Sequence, residues 1–259
     1  MDTIVVASDL SDRSRAAVQR AIQLAFEQGA ALTVVHVVDP AIPAQLSEQL
    51  QAGARTLLAE QIAADAGDRA LSHTLEVVSG DAIETINEAC RKVDADLLVV
   101  GVHRRRTFFD QIRETTMEHL VRSSRSPVLL VVSEALGPYE KVLTGVDLSA
   151  ICAAAVQKIK IVAPAAEVTL FHAHEVSFRA EAERDYATWQ AMHPQTASMP
   201  APIYLEASAR EALDEMMRNG SYDLLAIGAH TRSNTGRYVL GGFTAGLIRK
   251  PPCDLLLAK

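Results

Sequence analysis

The chain has 259 residues, of which 49% are hydrophobic and 22% are charged, and its formal net charge at pH 7 is -7. This length is enough for one large α/β domain or two small ones, and no apolar run is long enough to span a membrane. The negative charge disfavours nucleic acid as a partner. Three cysteines without a C-x-x-C pair predict neither a disulfide framework nor a zinc knuckle. Because the N-terminus lacks the features of a secretory signal, we expect a cytoplasmic protein with no membrane partner.

Short apolar, β-branched runs alternate along the chain with longer segments of helical periodicity. In the first half we predict strands at 3–8, 31–38, 73–78, 96–101 and 127–132 and helices at 12–28, 44–66, 82–93 and 115–124. In the second half we predict strands at 141–146, 167–173, 202–206, 223–228 and 253–258. This alternation is typical of parallel strands joined by crossover helices. Each half is therefore expected to be a doubly wound α/β domain with a five-stranded parallel sheet.

The two halves of the chain repeat the same ordered set of motifs. The segment at 4–25, IVVASDLSDRSRAAVQRAIQLA, corresponds to VLTGVDLSAICAAAVQKIKIVA at 142–163. Further along, DADLLVVGVHRR corresponds to SYDLLAIGAHTR, and HLVRSSRSPVLLVV corresponds to GLIRKPPCDLLLAK. Because an ordered repeat indicates two copies of one folding unit, we predict domains at 1–135 and 139–259, with Gly137 and Pro138 marking the junction.

Ligands of doubly wound sheets bind outside the carboxyl ends of the strands, where the strand order reverses. This rule selects the residues that end the first, second and fourth strand of each copy. They are Asp9, Val37 and Gly101 in copy one and Asp147, Ala173 and Gly228 in copy two.

Motifs in both halves resemble those of the universal stress protein family, and the whole chain resembles its tandem form. They are VASDLS and TGVDLS, VVHVV, SGDAIETI, VGVHRR and IGAHTR, and the closing SPVLLVV and PPCDLLLA. The resemblance implies Rossmann-like, adenine nucleotide α-hydrolase-like domains that dimerise through their last strands. In this chain those strands, near 128–132 and 254–258, are expected to pair as an intramolecular pseudo-dimer. A further homodimer is left open.

The resemblance also implies that some members bind ATP through the motif G-x-x-G, nine residues, then G-[S/T]. Its glycines admit the phosphates close to the main chain, and its last pair opens a helix whose N–H groups and dipole attract anions. Copy two has Gly228, Thr231, Gly241 and Gly242 at the four motif positions, so two of the four depart from the pattern. The candidate nucleotide-binding residues of copy two are Asp147, Ala173, Gly228, Thr231, Arg232, Gly241, Gly242 and Phe243.

Copy one departs further from the motif. Its positions hold Gly101, Arg104, Glu114 and Thr115, so only one of the three motif glycines is kept. Thr115 and Glu118 have the spacing of a capping box at a helix start, and the same helix dipole favours the Glu114 carboxylate there. We expect Glu114 to exclude ATP from copy one. The degenerate counterpart site is Asp9, Val37, Gly101, Arg104, Glu114 and Thr115.

Each candidate residue type also has a purely structural interpretation. Asp9 and Asp147 precede Ser11 and Ser149, so they could simply stabilise the turn into the first helix of each copy. In FHAHE, His172 and His174 share one face of a strand, and two imidazoles with a carboxylate can bind zinc. Copy one, however, has a single histidine at the corresponding place, which favours a structural role. No metal site is therefore predicted.

The second helix of copy two carries Tyr186, Trp189 and Met192 at helical spacing. Residues three apart lie on one face, which we expect to cover the sheet of the same domain, the alternative being a partner surface.

No catalytic motif emerges from the chain, which has no nucleophile elbow, no H-E-x-x-H and no P-loop. We therefore expect a non-catalytic stress-response or regulatory protein with at most one weak or altered site for ATP or another adenine nucleotide, in copy two, and no other cofactor. Two alternatives stay open. One is an ATP-binding sensor with slow ATPase activity, and the other is a ligand-free scaffold that acts through protein partners of unknown identity.

Overall fold

A computed structural model describes residues 1–102, 111–132, 134, 137–174, 179–229, 231–234 and 237–259, with the backbone alone at 111–116, 231–234 and 237–240. The chain divides into two compact units, Met1–Gly137 and Pro138–Lys259. In the described part of the chain, no helix combines the length and the apolar character needed to cross a membrane.

The first unit alternates strands and helices. Its elements are β1 (Thr3–Ala7), α1 (Asp12–Gln28), β2 (Ala31–Val38), α2 (Ala44–Ala66), β3 (His73–Ser79), α3 (Ala82–Lys92), β4 (Leu97–Gly101), α4 (Gln111–Ser123) and β5 (Val128–Val131). The strands are parallel and lie in the order β3-β2-β1-β4-β5. The order reverses between β1 and β4, so their carboxyl ends flank the point where doubly wound sheets bind ligands.

The second unit repeats this plan. Its elements are β6 (Lys141–Gly145), α5 (Ala150–Val162), β7 (Glu167–His174), α6 (Arg179–Met192), a short 3-10 helix (Pro194–Thr196), β8 (Ile203–Glu206), α7 (Ala209–Asn219), β9 (Leu224–Gly228), β10 (Thr231–Asn234), β11 (Arg237–Leu240), α8 (Gly242–Arg249) and β12 (Asp254–Ala258). Its parallel strands lie in the order β12-β9-β6-β7-β8. The antiparallel pair β10–β11 was not predicted from the sequence.

Continuous apolar runs account for the central strands. Residues 97–100 of β4 and all of β12 are buried, as expected for parallel strands covered by helices on both faces. The alternation of strands and helices and the parallel order confirm the predicted Rossmann-like α/β fold.

Side-chain caps fix the starts of the helices that follow the strands. The hydroxyl of Ser11 accepts a hydrogen bond from the N–H of Ser14 at the start of α1, and Asp81 accepts one from Glu84 at the start of α3. Ser208 forms a reciprocal capping box with Glu211 at the start of α7. Such caps satisfy N–H groups that the first helical turn leaves open.

The predicted start of α4 is wrong. This helix begins at Gln111, one turn before the expected residue 115, so Thr115 lies inside the helix and cannot cap it. The residues before Thr115 are compatible with a helical conformation, so the helix can start before it. The spacing Thr-x-x-Glu alone does not fix where a helix starts when it lies within a helix-forming sequence. The proposed capping box of Thr115 and Glu118 is therefore withdrawn.

Candidate functional site

The loop after β6 places Asp147 at the carboxyl edge of the second unit. Its Oδ1 accepts hydrogen bonds from the Ser149 N–H at 3.1 Å and from the Ser149 hydroxyl at 2.7 Å. The Ser149 hydroxyl oxygen in turn accepts from the N–H of Cys152 at 3.1 Å, which caps α5. Asp147 is exposed. Its carboxylate thus lies at the solvent-facing edge of the sheet while holding the cap of the first helix.

The loop after β1 repeats this arrangement in the first unit. Oδ1 of Asp9 accepts hydrogen bonds from the Ser11 N–H at 3.0 Å and from the Ser11 hydroxyl. Burial alone would raise the pKa of Asp9, but the hydrogen bonds from Ser11 and Ser14 and the positive charge of Arg13 outweigh it and hold that pKa below its usual value. The structure therefore gives both aspartates the turn-stabilising role that the sequence left open.

One residue in each of these loops has a left-handed backbone. Leu10 has a φ of 63° and Leu148 a φ of 61°, a region that leucine adopts rarely and at some energetic cost. Each lies between an aspartate and the serine that hydrogen-bonds to it, so this hydrogen bond closes the turn around the strained residue. Sequence reasoning missed both leucines, and the shared Asp-Leu-Ser in the two copies is the only signal that could have found them.

A buried aromatic pair on α6 supports the loop after β6. The indole N–H of Trp189 donates to the carbonyl oxygen of Ser149 at 2.9 Å, and Trp189 is 1% exposed. Tyr186 lies in the same apolar cluster, against which Leu148 packs. The prediction that this helix face covers its own domain is correct for these two residues. It is wrong for Met192, which is 66% exposed because α6 ends there.

The ends of the second strands hold Val37 and Ala173, both half-buried. Next to them, Nδ1 of His36 lies 2.8 Å from the carbonyl oxygen of Ser8, and Nδ1 of His172 lies 2.7 Å from that of Val146. Because a carbonyl oxygen only accepts, Nδ1 of each ring carries the hydrogen. Both histidines thus tie the second strand of their unit to the end of the first strand.

His172 also stacks on His174, with ring centroids 6.3 Å apart. Among the residues that the structure describes, no group of three or more His, Cys, Asp or Glu side chains is arranged to hold a metal ion. Within the described structure, the His172 ring contacts the His174 ring and the main chain at Val146.

The glycine that ends the fourth strand of each unit is required by packing. A Cβ on Gly101 would lie 2.7 Å from the carbonyl carbon of Arg13, and a Cβ on Gly228 would lie 2.8 Å from Cγ2 of Ile151. Real Cβ atoms do not approach other atoms this closely, so the first turn of α1 or α5 needs a glycine beside it. The first motif glycine of each copy is thus explained without a ligand.

The later glycines of the second unit have a different environment. Gly241 is the N-cap of α8 with a φ of -60°, and no side chain caps that helix. A Cβ on Gly241 or Gly242 would meet no described atom within 4 Å. Within the described structure, neither packing nor backbone conformation therefore requires glycine at these positions. Phe243, which follows them, is half-buried.

The corresponding positions of the first unit are not at a helix start. Glu114 and Thr115 lie within α4, which begins at Gln111, and their side chains are outside those described. The expectation that Glu114 lies just before this helix is therefore wrong, because the first N–H groups of α4 lie one turn earlier. The exclusion of ATP from copy one by Glu114 stays a prediction.

The remaining motif residues are described in part. Thr231 and Arg232 lie in β10, where Thr231 is paired with Leu240, and only their backbone is described. Arg104 lies outside the described residues.

Comparison with known proteins identifies the family. The model of the universal stress protein family matches residues 1–132 and 200–259. The chain belongs to the universal stress protein family. The stress response protein NhaX of Bacillus subtilis is 27% identical over 161 residues, covering 50% of this chain and 97% of the relative. The universal stress protein A homolog 1 of Coxiella burnetii is 32% identical over 118 residues, covering 39% of this chain and 75% of the relative.

Solved structures agree on the fold of this universal stress protein. A universal stress protein from Archaeoglobus fulgidus aligns with a TM-score of 0.73 at 16% identity, covering 100% of this chain and 96% of that one. A putative universal stress protein from Pseudomonas aeruginosa aligns with a TM-score of 0.70 at 17% identity, covering 100% and 93%. The family indicated by the sequence motifs is confirmed by the match to the family model.

Proposed function

We propose that this chain is a tandem universal stress protein, with domains at 1–135 and 139–259, that acts without catalysis in stress response or regulation. In this proposal it holds at most one adenine-nucleotide site, in the second unit, and works in the cytoplasm as an intramolecular pseudo-dimer. The observation that carries the nucleotide site is the open start of α8 at Gly241 and Gly242.

The start of α8 has the properties that a phosphate group needs. The first N–H groups of any helix lack partners within the helix, and the helix dipole makes that end attractive to anions. No side chain caps this helix, and its two glycines leave open space among the described atoms. Glycines that the fold itself does not require are explained if a ligand approaches the main chain there.

The other candidate residues take supporting roles in this proposal. Asp147 would approach the adenosine from the end of β6, and Ala173 would border the adenine from the end of β7. Thr231 would offer a hydroxyl to the phosphates and Arg232 a positive charge. Gly228 would contribute main chain only, since α5 already explains why it is a glycine.

A non-catalytic role is supported by the hydrogen bonds that hold the candidate carboxylate of Asp147. Asp147 accepts two hydrogen bonds from Ser149 through one oxygen, and this ties it to the helix cap. A general base for water must be positioned against the proton that it removes. A carboxylate held by a structural cap is a poor candidate for that role, so we propose nucleotide binding rather than turnover.

Two experiments test this function. First, any nucleotide that is bound to the freshly purified protein is extracted and identified. The full chain is then titrated with ATP, ADP and AMP by isothermal calorimetry. We expect saturable binding of at least one adenine nucleotide and no release of phosphate from ATP. No binding at millimolar nucleotide would refute the site and leave the scaffold alternative. Light scattering of the same samples measures whether the chain also forms a homodimer.

A further inference from the structure

Helix α2 carries an exposed apolar stripe beside the face that packs on its own domain. The structure describes six large apolar side chains that are exposed, and three of them lie here: Leu46 at 48%, Leu50 at 43% and Leu57 at 51%. The buried residues of α2 occupy another face, with Ser47, Ala54, Leu58, Ile62 and Ala66. The core of the first unit therefore leaves about half of each of these three leucines exposed.

The spacing of the stripe is that of a coiled-coil seam. Leu46, Leu50, Gly53 and Leu57 are separated by four, three and four residues, which is the alternation of the two apolar positions of a heptad. On a helix with 3.6 residues per turn these four residues lie in one narrow row. We call them the α2 stripe.

Gly53 is the residue of the stripe that its own domain does not explain. It is exposed in the middle of a 23-residue helix, where glycine is less favourable than alanine. A Cβ at this position would meet no described atom within 4 Å. A glycine at such a place has a physical reason if another surface approaches the helix closely there.

We infer that the α2 stripe pairs with the same stripe of a second copy of this chain, in antiparallel orientation about a two-fold axis. The spacing is palindromic, so an antiparallel partner places Leu46 opposite Leu57 and Leu50 opposite Gly53. Each pair occurs twice, as a two-fold interface requires. The side chain of Leu50 fills the space that Gly53 of the second copy leaves open, and this makes the stripe complementary to itself.

Charge at the ends of the stripe supports the same register. Glu60 continues the seam after Leu57, and in the antiparallel pair it lies level with Pro43 of the second copy. Pro43 is the N-cap of α2, where no side chain caps the helix and no acidic residue lies in the first turn. A carboxylate beside this uncapped helix start is favoured by the helix dipole. Parallel pairing would instead place Glu60 of one copy beside Glu60 of the other, so that two negative charges meet and neither lies at a helix start.

Sedimentation velocity of the full chain over a range of concentrations tests the association. We expect Gly53→Glu to weaken it at least tenfold, because the new side chain occupies the space needed by Leu50. The same substitution removes a mid-helix glycine, so the thermal stability of the monomer should stay equal or rise. Met192→Lys, at an exposed apolar position of the second unit, is the matched control and should leave the association unchanged. A chain that is monomeric throughout, or association unaffected by Gly53→Glu, overturns the inference.

Disulfide trapping tests the register. In a Cys253→Ser background, chains with Leu46→Cys are mixed with chains with Leu57→Cys under mild oxidation. The antiparallel pair places residue 46 opposite residue 57, whereas two copies of residue 46 lie about 16 Å apart along the axis. We expect the mixed disulfide and little Leu46→Cys homodimer; the reverse outcome overturns the proposed orientation. Cys90 and Cys152 do not interfere, because both are buried and burial raises the pKa of each thiol to about 12.

Discussion

The two units share their first motif glycine and differ in the later ones, and the difference separates folding from ligand binding. Gly101 and Gly228 both lie against the first turn of a helix that a Cβ would strike. Among the described atoms, Gly241 and Gly242 border open space at a helix start without a side-chain cap, while their counterparts Glu114 and Thr115 lie inside a helix. A motif glycine that is present in both copies is thus required by the packing of the fold. A motif glycine that is present in only one copy is instead a candidate for contact with a ligand.

The largest effect is expected from alanine at the shared glycines. Gly101→Ala should lower the free energy of unfolding by about 3 kcal/mol, because the new Cβ meets the main chain of Arg13, which cannot move aside. Gly228→Ala should cost about 1–2 kcal/mol, since its nearest contact is Cγ2 of Ile151 at 2.8 Å and the main chain of the same helix turn follows at 3.1 Å. Urea unfolding followed by circular dichroism measures both. Stability within about 0.5 kcal/mol of the wild type in both variants would show that packing does not require these glycines.

The next effect concerns the glycine kept in one copy. Gly241→Glu copies the residue of the first unit and should weaken ATP binding at least tenfold, about 1.4 kcal/mol, because it places a carboxylate where the phosphates would bind. Its stability should change little, since no described atom lies within 4 Å of the new Cβ. Gly241→Ala is the comparison variant: it adds a Cβ without a charge where the ligand approaches the main chain, so it should weaken binding by less than Gly241→Glu. Equal weakening by both substitutions would point to altered helix geometry instead of charge.

Substitution of the two equivalent aspartates, Asp9 and Asp147, should have a smaller effect on stability and should affect binding in only one of the two variants. Asp147→Ala and Asp9→Ala should each destabilise the chain by about 1 kcal/mol, because each removes the hydrogen bonds that hold a helix cap. Asp147→Ala should in addition weaken adenine-nucleotide binding severalfold, and Asp9→Ala should not. Calorimetric titration of both variants measures the contrast. Loss of binding in Asp9→Ala with retention in Asp147→Ala would place the site in the first unit and contradict the proposal.

The smallest effect is a dependence on pH in the first unit. The pKa of Asp9 in the folded chain lies below its ordinary value of 3.8, so its stabilising effect is present above that value and disappears as the pH falls through the folded pKa. The difference in unfolding free energy between the wild type and Asp9→Asn should therefore shrink as the pH is lowered from about 5 to about 3. A difference that stays constant or grows in acid would exclude an ionised, hydrogen-bonded Asp9.

Sequence periodicity located the strands and helices well because buried parallel strands and amphipathic helices leave strong patterns. It predicted β1 at 3–8 and α1 at 12–28, and the structure has them at Thr3–Ala7 and Asp12–Gln28. Local motifs were less reliable, since the capping-box spacing at Thr115 falls inside α4. A four-residue pattern is satisfied by chance within helical sequence, whereas the start of a helix depends on its surroundings.

The candidate site was less predictable than the fold, because its meaning lies in contacts between distant residues. Both Gly101 and Gly241 match positions of the phosphate-binding motif, and the sequence gives no reason to treat them differently. Only the structure shows that the first lies against Arg13 and that the second has no described atom within 4 Å of an added Cβ. The left-handed backbone of Leu148 and its support by Trp189 depend likewise on tertiary packing.

The stoichiometry of ATP binding tests most directly the claim that the two units differ in function. Equilibrium dialysis of the full chain with radiolabelled ATP should approach one nucleotide per chain, and Gly241→Glu should weaken that binding at least tenfold. Two nucleotides per chain, or one nucleotide that Gly241→Glu leaves in place, would contradict the claim that the open start of α8 is the site.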